Sequence, residues 1–141
     1  MELVSEKQFN ELGTLLDDMK EYLCKFEKNC QQLPIEFHEA DRSQALETLT
    51  QIMEGLNYYQ KLVKSAAVLL TIDLSEVLYK DVSVASLLEQ LCQIFASILE
   101  AAENEDYSLL TDIIEYDLIP AISISHELLV ILQERYEERA I

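Results

Sequence analysis

Apolar residues recur along this chain in alternating three- and four-residue steps, the spacing of one face of an α-helix. A first stripe runs Phe9, Leu12, Leu16, Met19, Leu23, Phe26, Cys30 and Leu33. A second runs Ala45, Leu49, Ile52, Leu56, Tyr59, Val63, Ala66 and Leu70, and a third Val84, Leu87, Leu91, Ile94, Ile98 and Ala101. The fourth, through Leu110, Ile114, Leu118, Ala121, Ile124, Leu128 and Ile131, is less strict. Four such stripes predict an all-α fold. Their 3.5-residue mean period favours helices crossing near +20°, and the simplest closure is an antiparallel, up-down four-helix bundle of long helices.

Local signals place the helix ends. Ser5 with Gln8 has capping-box spacing and starts the first helix, which is expected to run to about Gln32, because Pro34 disfavours helical geometry at Leu33. Gly13 lies inside it, at a cost of about 1 kcal/mol relative to Ala, and a close helix crossing there would account for it. Asp41 with Gln44 forms a second capping box, and the second helix runs to about Thr71. Thirty residues of helix span about 45 Å, matching the first helix as an antiparallel neighbour should. The connector 72–83 contains Leu-Ser-Glu-Val-Leu-Tyr, read as one or two helical turns. The third helix starts near Asp81 or Ser83 and ends near Glu103. Asn104-Glu105-Asp106 is a short polar turn, with Asp106 capping a fourth helix from Tyr107 towards Glu138. Pro120 removes the amide that would bond the Tyr116 carbonyl, so this helix is expected to kink or break there.

Composition supports one helical domain over residues 1–141. Half of the 141 residues are apolar, with only two Gly and two Pro, too few turn residues for a β-rich fold of this length. A formal charge of −17 argues against nucleic acid or an anionic membrane as a ligand. The charge is uneven. From Asp81 to Glu134 there is no Lys or Arg, against eleven carboxylates, whereas eight of the ten basic side chains lie in the first eighty residues. The acidic half is suited to attract a basic partner. The Met-Glu-Leu-Val-Ser-Glu-Lys start lacks the basic and apolar regions of a signal peptide, and no apolar run is longer than Ala66 to Leu70, far too short to span a bilayer. Three cysteines, Cys24, Cys30 and Cys92, are read as reduced thiols of a cytoplasmic protein, with Cys30 a small core residue.

No motif for catalysis emerges, and no cofactor or metal is expected. A di-iron bundle needs Glu-x-x-His pairs, but residue 35 is Ile and residue 123 is Ser, three positions before His38 and His126. His38 is expected in solvent and His126 beside the fourth stripe. The acidic run around Glu103, Glu105, Asp106, Asp112, Glu115 and Asp117 has no Gly for an EF-hand turn and reads as helix capping and solvated surface. Phosphate-binding loops need clustered glycines, and Gly13 and Gly55 are far apart. No Cys-His or Ser-His-Asp spacing suggests a nucleophile, although such groups can meet only in three dimensions.

What remains is surplus apolar surface. A bundle helix needs about three apolar positions in seven. The second helix adds Tyr58, Leu62, Val68 and Leu69 beyond its stripe, and the fourth adds Ile113, Ile119, Ile122, Leu129 and Val130. Either the core is wider than the stripes suggest, or these residues form a docking face, with Tyr58, Leu62, Val68, Leu69, Ile119, Ile122 and Val130 as the candidate partner-binding residues.

The segment Ile98-Leu-Glu-Ala-Ala-Glu-Asn-Glu-Asp-Tyr-Ser-Leu-Leu-Thr-Asp-Ile-Ile-Glu-Tyr-Asp-Leu-Ile-Pro120, about a sixth of the chain, resembles a recurring segment of uncharacterised, all-helical bacterial proteins. In pattern it is also similar to the last two helices of flagellin export chaperones, as an apolar helix, an acidic turn and an acidic helix. That resemblance implies a small four-helix bundle holding a partner's tail in apolar grooves. The N-terminus lacks a counterpart of their polar first segment, and no site residue is carried over. The chain is therefore expected to be a non-catalytic interaction module that binds another protein or forms a homodimer. An export chaperone is the first alternative. The second is a carrier or enzyme with a pocket inside the bundle, edged by a group such as Asp117.

Overall fold

The computed structural model describes residues 6–39 and 42–140. Helix α1 spans Glu6–Glu36 and α2 Ser43–Leu70. A 3₁₀ turn, Leu74–Glu76, and a two-stranded hairpin, β1 Leu78–Tyr79 and β2 Val82–Ser83, lead into α3, Val84–Glu103. The fourth helix consists of joined pieces: α4 Tyr107–Ile113, a π turn Ile114–Leu118, and α5 Ile119–Ala140. Phe9 stacks on Tyr136 and Cys24 meets His126, so α1 and α5 run antiparallel. α1 and α2 also run antiparallel, as do α3 and the fourth helix, and the all-α, up-down bundle holds.

The first three stripes form the core as expected. Leu16, Leu23, Leu33, Leu56, Tyr59, Val63, Ala66, Val84, Leu87 and Leu91 are fully buried, while Phe9, Phe26 and Ile94 pack at its margin. α3 is long and apolar enough to cross a membrane by length and composition alone, with a mean hydropathy of 1.3, although it holds no long unbroken apolar run. Its stripe is instead spent on the bundle, and Gln90, Gln93 and Ser97 are exposed.

Helix ends follow the capping chemistry in part. Ser83 accepts from the Ser86 amide at 3.0 Å, and Asp106 accepts from the Leu109 amide at 3.1 Å. Ser5 and Asp41, the expected caps of the first two helices, lie outside the described residues. α2 begins after Arg42, which uses its side chain otherwise: Nε donates to the Phe37 carbonyl at 2.9 Å, and the guanidinium lies 4.3 Å from the Tyr107 ring centre.

Two expectations need correction. α1 does not stop at Gln32 but continues through Pro34 to Glu36. Pro34 sits in the last turn, where it forfeits one bond. That turn is held by burial of Leu33, Pro34 and Phe37, by the Phe37 amide donating to the Leu33 carbonyl at 2.9 Å, and by Phe37 stacking on Tyr107. In the 72–83 connector one expected helical turn forms, at Leu74–Glu76, but Leu78–Tyr79 is a strand instead of a second turn. Asp73 accepts from both the amide and hydroxyl of Ser75, which lowers its carboxyl's affinity for protons. The chain then reverses through Lys80 and Asp81, at φ 49° and 67°. Positive φ at both central residues is the two-residue turn that suits a twisted hairpin, although no Asn-Gly announces it. Buried Val77 anchors it, its carbonyl accepting from the Val84 amide at 3.0 Å.

The π turn corrects the fourth stripe. The Ile119 amide donates to the Ile114 carbonyl, five residues back, so one extra residue is accommodated immediately before Pro120. Beyond that point Ala121 and Leu128 of the expected stripe stay buried, but the buried face widens by one position. Ile122, Ser125, Leu129 and Leu132 are fully buried, while Ile124 and Ile131 of the expected stripe are only half-buried. The apparent surplus on this helix is therefore mostly core. Ile113, Ile122 and Leu129 are buried and Ile119 and Val130 half-buried.

Candidate functional site: two interhelical grooves

The seven candidate docking residues do not form one face. Leu62 and Ile122 are buried, at 4% and 0% exposure, and belong to the core. Ile119 and Val130 are half-buried on α5. Tyr58, Leu62 and Leu69 come together in a groove of about 220 Å³ between α1 and α2, completed by Leu12 and Leu15 and edged by Gln8, Glu11, Lys61 and Ser65. Val68, 78% exposed, stands on α2 near its end.

A longer groove, which stripe-by-stripe reading missed, follows the seam between α3 and the fourth helix. One part, about 390 Å³, is lined by Gln90, Gln93, Ile94 and Ser97 of α3 and by Tyr116, Asp117, Pro120, Ala121 and Ile124 opposite. The next part, about 250 Å³, shares Ser97 and continues along Glu100, Ala101 and Asn104, facing Asp106, Leu109 and Ile113. From Gln90 to Asn104 the α3 wall spans about 21 Å, or four turns of helix. The π turn lies at mid-length and presents Tyr116, 73% exposed, while Leu109 at the lower end is 47% exposed. Small residues, Ala101 and Ala121, are buried beneath it. Glu100, Asp106 and Asp117 supply carboxylates to the walls, and neither α3 nor the chain from Tyr107 to Glu134 carries a Lys or Arg. The sequence signal that points here is the cation-free stretch combined with Pro120.

Chemically both grooves combine apolar side chains with polar and charged ones. Asp117, the expected polar edge of an internal pocket, is exposed on the rim of a surface groove. The polar core contacts are structural: the Tyr59 hydroxyl donates to the Ser125 carbonyl at 3.0 Å, and the Ser125 hydroxyl to the Ala121 carbonyl at 2.7 Å. Burial pushes the Tyr59 phenol far above its ordinary value, the nearby Ser125 side chain opposing this only in part. No buried side-chain nitrogen or oxygen among the described residues lacks a partner. The described residues hold no cluster of three or more His, Cys, Asp or Glu that could bind a metal ion. His38 is exposed, whereas His126 is half-buried, with Nε2 3.6 Å from the Cys24 sulfur. This pairing across 102 residues was invisible to any local spacing.

A family model described as a domain of unknown function, DUF8042, matches residues 14–128, and the chain belongs to that family. The matched region takes in α2, α3, α4 and parts of α1 and α5, and with them the whole lining of the α3–α4/α5 groove. No curated protein and no solved structure matches the chain.

Proposed function

We propose that this DUF8042 member is a non-catalytic binding module whose α3–α4/α5 groove receives a basic amphipathic helix of another protein. The supporting observation is the groove itself: four helical turns long, with Ile94, Ile113, Ala121 and Ile124 set among polar side chains, and walled by Glu100, Asp106 and Asp117 with no Lys or Arg on α3 or from Tyr107 to Glu134. A helix laid there would bury apolar residues at i, i+3, i+4 and i+7 on Ile94, Leu109, Ile113 and Ile124, with its Lys and Arg side chains meeting the carboxylate rim. Rim charges act mainly on the association rate and on selectivity against acidic helices. An export chaperone holding a partner's terminal helix would be one instance of such a module.

The test uses a fluorescent, Lys-rich amphipathic peptide of about four turns, with an acidic peptide of the same apolar pattern as control. Anisotropy should report binding in roughly the micromolar range for the basic peptide only, weakening as salt screens the rim. Ile94→Asp should abolish it with helicity unchanged. Equal binding of both peptides, or binding indifferent to Ile94→Asp, would overturn the reading.

A second reading concerns the α1–α2 face as a contact between two copies. Exposed Val68 and Tyr58 favour it, and so does charge. α2 carries Glu47 and Glu54 against Lys61 and Lys64, so like-charge repulsion opposes self-association least there. Light scattering over a concentration series should give a dimer mass that Val68→Asp reduces to the monomer; a monomer mass at all concentrations removes this reading.

A further inference from the structure

The packing of α1 against α5 brings a thiol and an imidazole together at the surface. Cys24 Sγ lies 3.6 Å from His126 Nε2, within hydrogen-bond range for sulfur. Cys24 is exposed and therefore open to a reagent, whereas His126 is half-buried and held by the helix packing. On α1, Lys20 and Lys28 stand one turn before and after Cys24, and Glu21 and Glu27 three residues to either side; on α5, Glu127 follows His126. The other two cysteines differ in kind. Cys30 is fully buried, and burial pushes its thiol up to about 12. Cys92 is exposed, but its partner is the neutral Gln60 side-chain oxygen, at 3.8 Å.

A nucleophile and a base within reach of one another are the minimum for activation. We propose that Cys24 and His126 form a thiol–imidazole pair that makes Cys24 the reactive thiol of this protein, a site of exchange with disulfides of small thiols. With the ring proton on Nδ1, Nε2 accepts the Cys24 proton. The thiolate attacks one sulfur of the disulfide, a new Cys24–S–S–R bond forms and the S–S bond of the reagent breaks. The other half leaves as a thiolate and takes the proton from the imidazolium. Cys24 is oxidised and the reagent disulfide is reduced by the same two electrons. The adduct would sit on the α1–α5 seam, away from the α3–α4/α5 groove, so the site is independent of the binding function proposed above.

The experiment treats the folded full chain with oxidised glutathione and follows each cysteine's adduct by peptide mass mapping. Cys24 should be modified about tenfold faster than Cys92, with Cys30 unmodified until the chain is denatured. His126→Gln should slow Cys24 about tenfold and leave Cys92 unchanged, which serves as an internal control for the fold alongside circular dichroism. Equal rates at Cys24 and Cys92, or a Cys24 rate indifferent to His126→Gln, would overturn the pair.

Discussion

Between α1 and α2 the seam is filled by rings. Phe26 lies so close over Gly55 that a Cβ there would overlap it, and Tyr22 stacks on Phe26. Between α3 and the fourth helix, Ser97, Ala101 and Ala121 line the seam, and it stays open as two grooves totalling more volume than the single groove opposite. The first seam joins two uninterrupted α-helices and is mixed in charge. The second is bent by a π turn and carries only carboxylates. The difference is one of packing and charge. Close helix approach through Gly55 consolidates one side, while small residues and a helix irregularity leave the other side open, as the proposed binding requires.

The largest effect should come from breaking what joins the two sides. Tyr59 reaches from α2 across the core to the Ser125 carbonyl of α5. Tyr59→Ala should cost about 3–5 kcal/mol in urea denaturation, and Tyr59→Phe, which loses only the hydrogen bond, about 1 kcal/mol. The transition should remain single in both; two transitions would mean that the halves unfold independently. Next, reversing the rim with Glu100→Lys and Asp117→Lys should weaken the basic peptide at least tenfold, about 1.4 kcal/mol. Glu11→Lys on the opposite seam should change it less than twofold, which anisotropy at fixed salt would check.

Smaller again is the contrast between the two glycines. Gly55→Ala gains helix propensity but must displace the Phe26 ring, a net loss of about 1 kcal/mol. At Gly13 a Cβ would come 2.5 Å from the Tyr136 hydroxyl, the far end of a side chain near the end of α5. That end can yield, so Gly13→Ala should be close to neutral by thermal melting.

The least visible effect near neutrality is on the alkaline side. Burial holds the protons of Cys30 and Tyr59, both on the α1–α2 side, above their ordinary values. As pH rises, the unfolded chain releases these protons first, so stability is full below roughly pH 8.5 and falls from there, for Cys30 until about 12. Cys30→Ala should flatten the first part of this fall in denaturation at stepped pH.

The candidate site was only partly legible in the sequence. The cation-free stretch and Pro120 pointed to the right part of the chain, and Tyr58, Leu62 and Leu69 do meet in one groove. Of the two places open to Ile122, core or docking face, the structure puts it in the core, because a period counted straight through Pro120 misses the residue that the π turn adds. The acidic groove takes one wall from each of two helices, and a stripe analysis examines one helix at a time.

By itself the sequence determined the number of helices, most of their ends, three of the four core stripes and the acidity of the second half. These depend on intrahelical periodicity, on caps such as Ser83 and Asp106, and on composition, all of which are local. Only the tertiary structure decided the register of α5, the Lys80–Asp81 hairpin, the continuation of α1 through Pro34 and the meeting of Cys24 with His126. In each of these, burial against a distant segment outweighs the local preference. Phe37 and Tyr107 close the α1 end, Val77 anchors the hairpin, and the packing of α1 on α5 joins residues 102 positions apart.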